Sequence, residues 1–129
     1  MRIGSTLMSV LFALGAAVQW NDPDPLLWIA AYLVGMGLSV LGALGRPHGL
    51  ASLLAALVLG VSFLVISPSL LGAPEEAFTS VKMQAVDHEE PREAVGLALL
   101  SGWSFALAYW AAGRARASRD VGDTGAQDA

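Results

Sequence analysis

Four long runs without a charge constrain this chain more than any other feature. They are Ile3–Trp20 (18 residues), Leu26–Leu44 (19), Leu50–Ile66 (17) and Ala94–Ala112 (19). At 1.5 Å per residue, 18 helical residues reach roughly 27 Å, close to the roughly 30 Å hydrocarbon core of a bilayer. A soluble helix shows polar residues on one face, whereas these runs are apolar all round. Only 14% of the 129 residues are charged and 55% are hydrophobic, against about 25% charged in an ordinary soluble domain. Too little polar surface remains for a water-soluble fold.

The expected fold is an all-α integral membrane four-helix bundle, with spans at about 3–20, 26–44, 50–66 and 94–112. A spanning segment must satisfy its own backbone hydrogen bonds, which selects helices. Membrane β-strands would show about ten residues of alternating character, and no such segment occurs. Residues 1–112 read as one transmembrane domain and 113–129 as a disordered cytoplasmic tail without an apolar period. Small residues four apart (Ser5/Ser9/Ala13, Gly35/Ser39, Ala56/Gly60, Ala98/Gly102/Ala106) read as packing seams where helix backbones approach closely. A cleaved signal peptide is the alternative for the first run, given Arg2 and the small residues from Ala13 to Ala17. The length of the run and the polar elbow after it favour a span.

Basic residues set orientation. Arg2, Arg46, Arg114, Arg116 and Arg119 fall on one side of the spans, and Lys82 and Arg92 on the other. Both termini are therefore expected in the cytoplasm, and the location is expected to be the bacterial inner membrane. Eight acids crowd the outer side (Asp22, Asp24, Glu75, Glu76, Asp87, Glu89, Glu90, Glu93). Trp20 and Trp28 flank the outer turn, and Tyr109 and Trp110 close the inner end of the fourth span, as amphipathic rings do at headgroup level. The tail arginines are placed to meet anionic lipid. The net charge of −4 leaves no basic footprint for nucleic acid. The absence of cysteine excludes disulfides, thiolate metal sites and thiol catalysis.

Two polar strings stand out. In Asn21-Asp22-Pro23-Asp24-Pro25 each Asp precedes a Pro, which pushes it to extended geometry. Asp24 is placed to cap the second helix, with Pro25 at its first position. Gln19 lies just inside the span, a depth at which polar groups face the bundle interior. The oxygens of Asn21, Asp22 and Asp24, with Glu89, Glu90 and Glu93, are the candidate ligands for a hard cation such as Ca²⁺ or Mg²⁺. The string lacks the glycine and distal glutamate of an EF-hand loop.

The second string is Asp87-His88-Glu89-Glu90-Pro91-Arg92-Glu93. Pro74, Glu75 and Glu76 read as a helix start ahead of it. Ala77, Phe78, Val81 and Ala85 then share a face, so a short interfacial helix is expected in this third connection. Asp87 with Glu90 resembles a capping box. Arg92 is the one cation among the acids, and an arginine can grip a carboxylate bidentately. Crossing to Asp22 or Asp24, it would tie the two outer connections together. The expected structural cluster is thus Gln19, Asn21, Asp22, Asp24, Glu90, Arg92 and Glu93.

Together these strings resemble the transmembrane protein 220 family. Gln19, Asn21-Asp22-Pro23-Asp24, Trp28 and Tyr32 are similar to its first signature, and Glu89-Glu90, Arg92-Glu93 and Gly96-Leu97 to its second. The resemblance runs from about Leu11 into the fourth span. It implies a small integral membrane protein in which the two motifs belong together, and it implies no reaction. Pro91 stands where that family carries a glycine, and the tail is shorter than in animal members.

The leading functional expectation is a non-enzymatic multi-pass membrane protein with an acid-rich outer cluster. Binding or transport of a divalent cation or cationic solute is the second reading. A membrane enzyme using Glu or Asp as general base is the third, and an accessory subunit, with a membrane-protein partner or a second copy, is the fourth. A ferritin-like di-metal site would need Glu-x-x-His motifs, which do not occur. No nucleophile, cofactor loop or catalytic triad can be assigned, and His48 and His88 both fall in connections. No cofactor is expected beyond the candidate cation.

Overall fold

The computed structural model describes residues 1–21, 25–73 and 89–127, with the side chains of Asn21, Glu89 and residues 120–127 left aside. Among the described residues there are four α-helices: α1 (Arg2–Val18), α2 (Pro25–Ala43), α3 (Gly49–Ile66) and α4 (Glu89–Gln127). No described residue is in a strand. Short 3₁₀ turns, Gln19–Asn21 and Ser67–Leu70, extend α1 and α3.

Local chemistry sets the boundaries. Pro25 opens α2, where its missing N–H is of no consequence. The end of α2 is a Schellman motif: Arg46 N–H reaches Leu41 O at 2.9 Å and Gly45 N–H reaches Gly42 O at 3.0 Å. That closure needs a left-handed residue, and Gly45 supplies it at φ 75°. Pro47 follows, and extended His48 caps α3, its carbonyl accepting from Ser52 N–H at 2.9 Å. At its far end, α3 gives up α-geometry after Ile66 and tightens into the 3₁₀ turn containing Pro68. A proline lacks the donor that a continuing helix requires.

α1 packs along α2, α3 packs along α4, and α2 and α4 join the two hairpins. Ser5 lies beside Gly42 and Tyr32 beside Gly15, so α1 and α2 are antiparallel. Gly49 lies beside Ala111 and Gly60 beside Ser101, so α3 and α4 are antiparallel too. Leu100 lies beside Gly35 and Leu107 beside Gly42, which makes α2 and α4 parallel. One end of the bundle therefore gathers Arg2, Arg46, Arg114, Arg116 and Arg119. The other gathers Gln19, the start of α2 and the acidic start of α4.

The distribution of apolar side chains is the reverse of a soluble bundle. The interior is small: Phe12, Leu100 and Leu107 are fully buried, with Ala16, Ala56, Ala94, Leu38 and Leu97 around them. Large apolar residues face outward along every helix, Ile3 and Leu26 at 79% and Val65 at 72% exposure among them. Apolar exposure on that scale marks a surface that meets something other than water. Among the described residues, three segments are long and apolar enough to cross a membrane: Pro25–Ala43, Gly49–Leu70 and Glu90–Arg119. Arg2–Val18 is apolar but one residue short of that length.

One boundary differs from the sequence expectation. α4 continues through Gln127, where a disordered tail was expected from Gly113. The missing apolar period signals the absence of a packed face, not of a helix. Alanine and arginine are strong helix formers, and Ala112-Gly113-Arg114-Ala115-Arg116-Ala117 extends a helix already nucleated by packing. Ser118 Oγ donates back to Arg114 O at 3.0 Å. Asp22, Asp24 and the expected interfacial helix around residues 77–85 lie outside the described residues.

Candidate functional site

The polar end is organised around Tyr32. Its ring fills the space beside Gly15 of α1, where a methyl group would meet ring carbons at 2.7 Å. Its phenol oxygen occupies the space beside Gly96 of α4, 2.5 Å from where a methyl group would sit. Phe12 packs against the same ring at a centroid distance of 6.3 Å and a tilt of 49°, a separation typical of favourable aromatic pairs. A single α2 side chain thus wedges between two glycines on two other helices. The glycines let the backbones come close enough for one ring to touch both.

Gly96 belongs to the second turn of α4, and the candidate residues lie in the turn before it. Glu90 is exposed, Arg92 and Glu93 are half-buried, and Pro91 and Ala94 are buried. Pro91 sits in the first turn of α4, where backbone N–H groups have no intrahelical acceptor, so it breaks no hydrogen bond. The departure from a glycine at that position is therefore compatible with an uninterrupted helix. Carboxylates at a helix start also face the positive end of its dipole.

Gln19 is half-buried in the 3₁₀ turn that ends with Asn21, at the same end of the bundle. Asp22 and Asp24 lie outside the described residues, and for Asn21 and Glu89 the backbone alone is described. The structure therefore brings Gln19, Glu90, Arg92 and Glu93 to one end and leaves the proposed Arg92–Asp contact untouched. Among the described residues no group of three or more His, Asp or Glu is arranged to hold a metal ion.

A second polar feature lies deep in the bundle. Each helix contributes one almost fully buried serine: Ser5, Ser39, Ser52 and Ser104, all at 1% exposure or less. Trp103 Nε1–H donates to Ser39 Oγ at 2.9 Å, and Ser39 Oγ donates to Gly35 O at 2.7 Å. Trp103 also leans its ring edge over Gly4, so this one residue touches α1 and α2. The hydroxyls of Ser5, Ser52 and Ser104 have no hydrogen-bond partner among the described residues. The Gly35/Ser39 spacing marks a seam in the sequence, but Trp103 gives no comparable signal: an indole in a long apolar run reads as another large hydrophobe.

The sequence profile described as "Transmembrane family 220, helix" matches residues 11–109. The chain belongs to that family. A Xenopus laevis relative named transmembrane protein 220 is 34% identical over 109 residues, 79% of this chain. The chain spans about half the length of that relative, the alignment covering 55% of it. No solved structure matches the chain. The matched stretch runs from α1 to the aromatic end of the apolar part of α4, so it contains both polar strings, Tyr32 and Gly96. Membership of a transmembrane family agrees with the outward apolar surface, and the chain is an integral membrane protein.

Proposed function

We propose that this chain is a non-enzymatic multi-pass membrane protein crossing the bilayer four times. Both termini lie on the cytoplasmic side, and a carboxylate-rich cluster at the outer face clasps the first connection to the third. The observation that supports this reading most directly is the Tyr32 wedge between Gly15 and Gly96. It holds the acidic first turn of α4 beside the elbow between α1 and α2. In this reading Arg92 takes Asp22 or Asp24 as its acceptor across the two connections, and its half-burial favours a charge-assisted bond over free hydration.

The fourth crossing is supplied by α1 with its 3₁₀ extension. Seventeen α-helical residues and three 3₁₀ residues reach about 31 Å at 1.5 and 2.0 Å per residue. That length matches the hydrocarbon core.

The cysteine-free chain suits a direct topology test. Single cysteines at Ser69 and Ser118 should label from opposite sides of the membrane, Ser118 only after permeabilisation. Labelling from the same side would overturn the orientation. For the clasp, thermal melting of the detergent-purified chain is measured across Ca²⁺, Mg²⁺, Mn²⁺ and Zn²⁺, with Asp22→Asn and Arg92→Ala alongside. An internal clasp gives flat cation responses and lowered melting in both variants. A concentration-dependent rise for one ion, lost in Asp22→Asn, would replace the clasp with a cation site.

A further inference from the structure

Between α3 and α4, at the basic end of the bundle, runs an open groove of about 520 Å³. One wall is Pro47, Leu50 and Leu53; the other carries Phe105, Tyr109 and Ala112. Its floor is small because Gly49 lies against Ala111, where an added methyl would come within 3.2 Å. The rim side chains are large and project outward, Leu50 at 72%, Phe105 at 60% and Tyr109 at 74% exposure. The volume falls within the ~300–1,000 Å³ of ligand sites. Along α4 the lining runs from Phe105 to Ala115, about 15 Å at 1.5 Å per residue, or one leaflet of a ~30 Å core.

Cations frame the basic end of this groove. Arg46 immediately precedes Pro47 of the wall, and it is exposed. Arg119 lies four residues beyond Ala115, on the same face of α4, and it too is exposed. Arg116, four residues beyond Ala112, shares that face and is exposed as well. Asp120 and Asp123 follow only beyond Arg119. Arg114 is engaged elsewhere, its guanidinium 5.5 Å above the Trp110 ring on a different face.

We propose that this groove is a binding site for one anionic glycerophospholipid. An acyl chain lies between α3 and α4, and the phosphate is gripped by Arg46 and Arg119. An apolar trough one leaflet deep, ending in guanidinium groups, matches a lipid along its whole length. A neighbouring protein helix would use the trough but not the arginines. Guanidinium forks bind phosphate oxygens bidentately. The site goes beyond the outer clasp and shares with that reading only the need for this end to reach a membrane surface. Cysteine labelling tests that need separately.

The test is native mass spectrometry of the full chain in mild detergent, titrated with phosphatidylglycerol or phosphatidylcholine of identical acyl chains. The expected result is one retained phosphatidylglycerol, preferred by about tenfold or more, as two juxtamembrane arginines would give. Arg46→Gln with Arg119→Gln should bring the two lipids to near equality. Ala112→Trp, which fills the trough and spares the rim, should weaken both. Arg114→Gln should change neither. Unaltered melting of each variant in the lipid-free state shows that it is folded. The proposal is overturned by equal binding of the two lipids to the unaltered chain. It is overturned equally if Arg114→Gln costs as much as Arg119→Gln, since the attraction is then diffuse. A dimer that forms without lipid and is broken by Ala112→Trp would assign the groove to a second copy instead.

Discussion

Trp103 and Ser39 share one hydrogen bond across the α2–α4 interface, and Ser39 Oγ in turn donates a hydrogen bond to Gly35 O. The chain of contacts satisfies an indole N–H that would otherwise sit unpaired in an apolar bundle. It also fixes the rotation of α4 relative to α2. Ser39→Ala removes the acceptor and should destabilise the protein by about 1–2 kcal/mol, the cost of a buried donor left unmade. In a double-mutant cycle with Trp103→Phe, the coupling should fall near the ~0.6 kcal/mol typical of membrane hydrogen bonds and below about 1.7. Denaturant titration in mixed micelles reads both values. A coupling of zero would show that the bond does not contribute to stability.

Gly96 and Tyr32 give a steric prediction with a built-in rescue. A methyl group at Gly96 meets the phenol oxygen at 2.5 Å but the ring carbon bearing it only at 3.5 Å. Gly96→Ala should therefore cost about 1–3 kcal/mol by overpacking. Measured in a Tyr32→Phe background, the same change should cost far less. Gly15→Ala should show no such rescue, because there the ring carbons themselves stand at 2.7 Å. Equal costs in both backgrounds would refute the wedge geometry.

Gly37 and Gly102 have open space around the position of a Cβ. Alanine there should be neutral or stabilising by about 0.5–1 kcal/mol, the helix advantage of alanine over glycine. Melting of the single variants checks this. A clear loss at either position would mean that another surface packs there.

Gly45 should tolerate no side chain. Its φ of 75° closes the Schellman motif, and Arg2 Nη2 lies 2.7 Å from where a Cβ would project. Gly45→Ala should cost about 1–2 kcal/mol in backbone strain, with asparagine the mildest replacement. Gly72 has a similar φ of 86° with none of the described residues near its Cβ position, so alanine there meets backbone strain.

Arg92→Ala tests the outer clasp through its partners. If Arg92 clasps those carboxylates, removing it leaves them without compensation, which destabilises more than losing an exposed pair. Arg92→Lys should recover only part of the loss, because a point charge cannot make the two-pronged contact. Melting curves that overlay the unaltered protein for both variants would remove the clasp.

The elements themselves were legible because a membrane leaves few choices. Runs of 17–19 uncharged residues must form helices to satisfy their backbones, and proline and glycine mark where those helices stop. Pro25, Gly45 and Pro68 each stand at a boundary for a reason that needs no neighbour. The end of α4 is not legible from the missing apolar period, because period reports packing and a helix beyond the bundle packs against nothing. The arrangement of the helices belongs to the tertiary structure. Gly96, Gly15 and Gly35 differ from Gly37 and Gly102 only in what lies across the interface. Trp103 became a polar contact only when α4 turned it toward Ser39. In lipid the outside is as apolar as the inside, so hydrophobic pattern cannot say which face of a helix is buried. Close approach of small residues and a few hydrogen bonds make that decision, and both depend on two helices meeting.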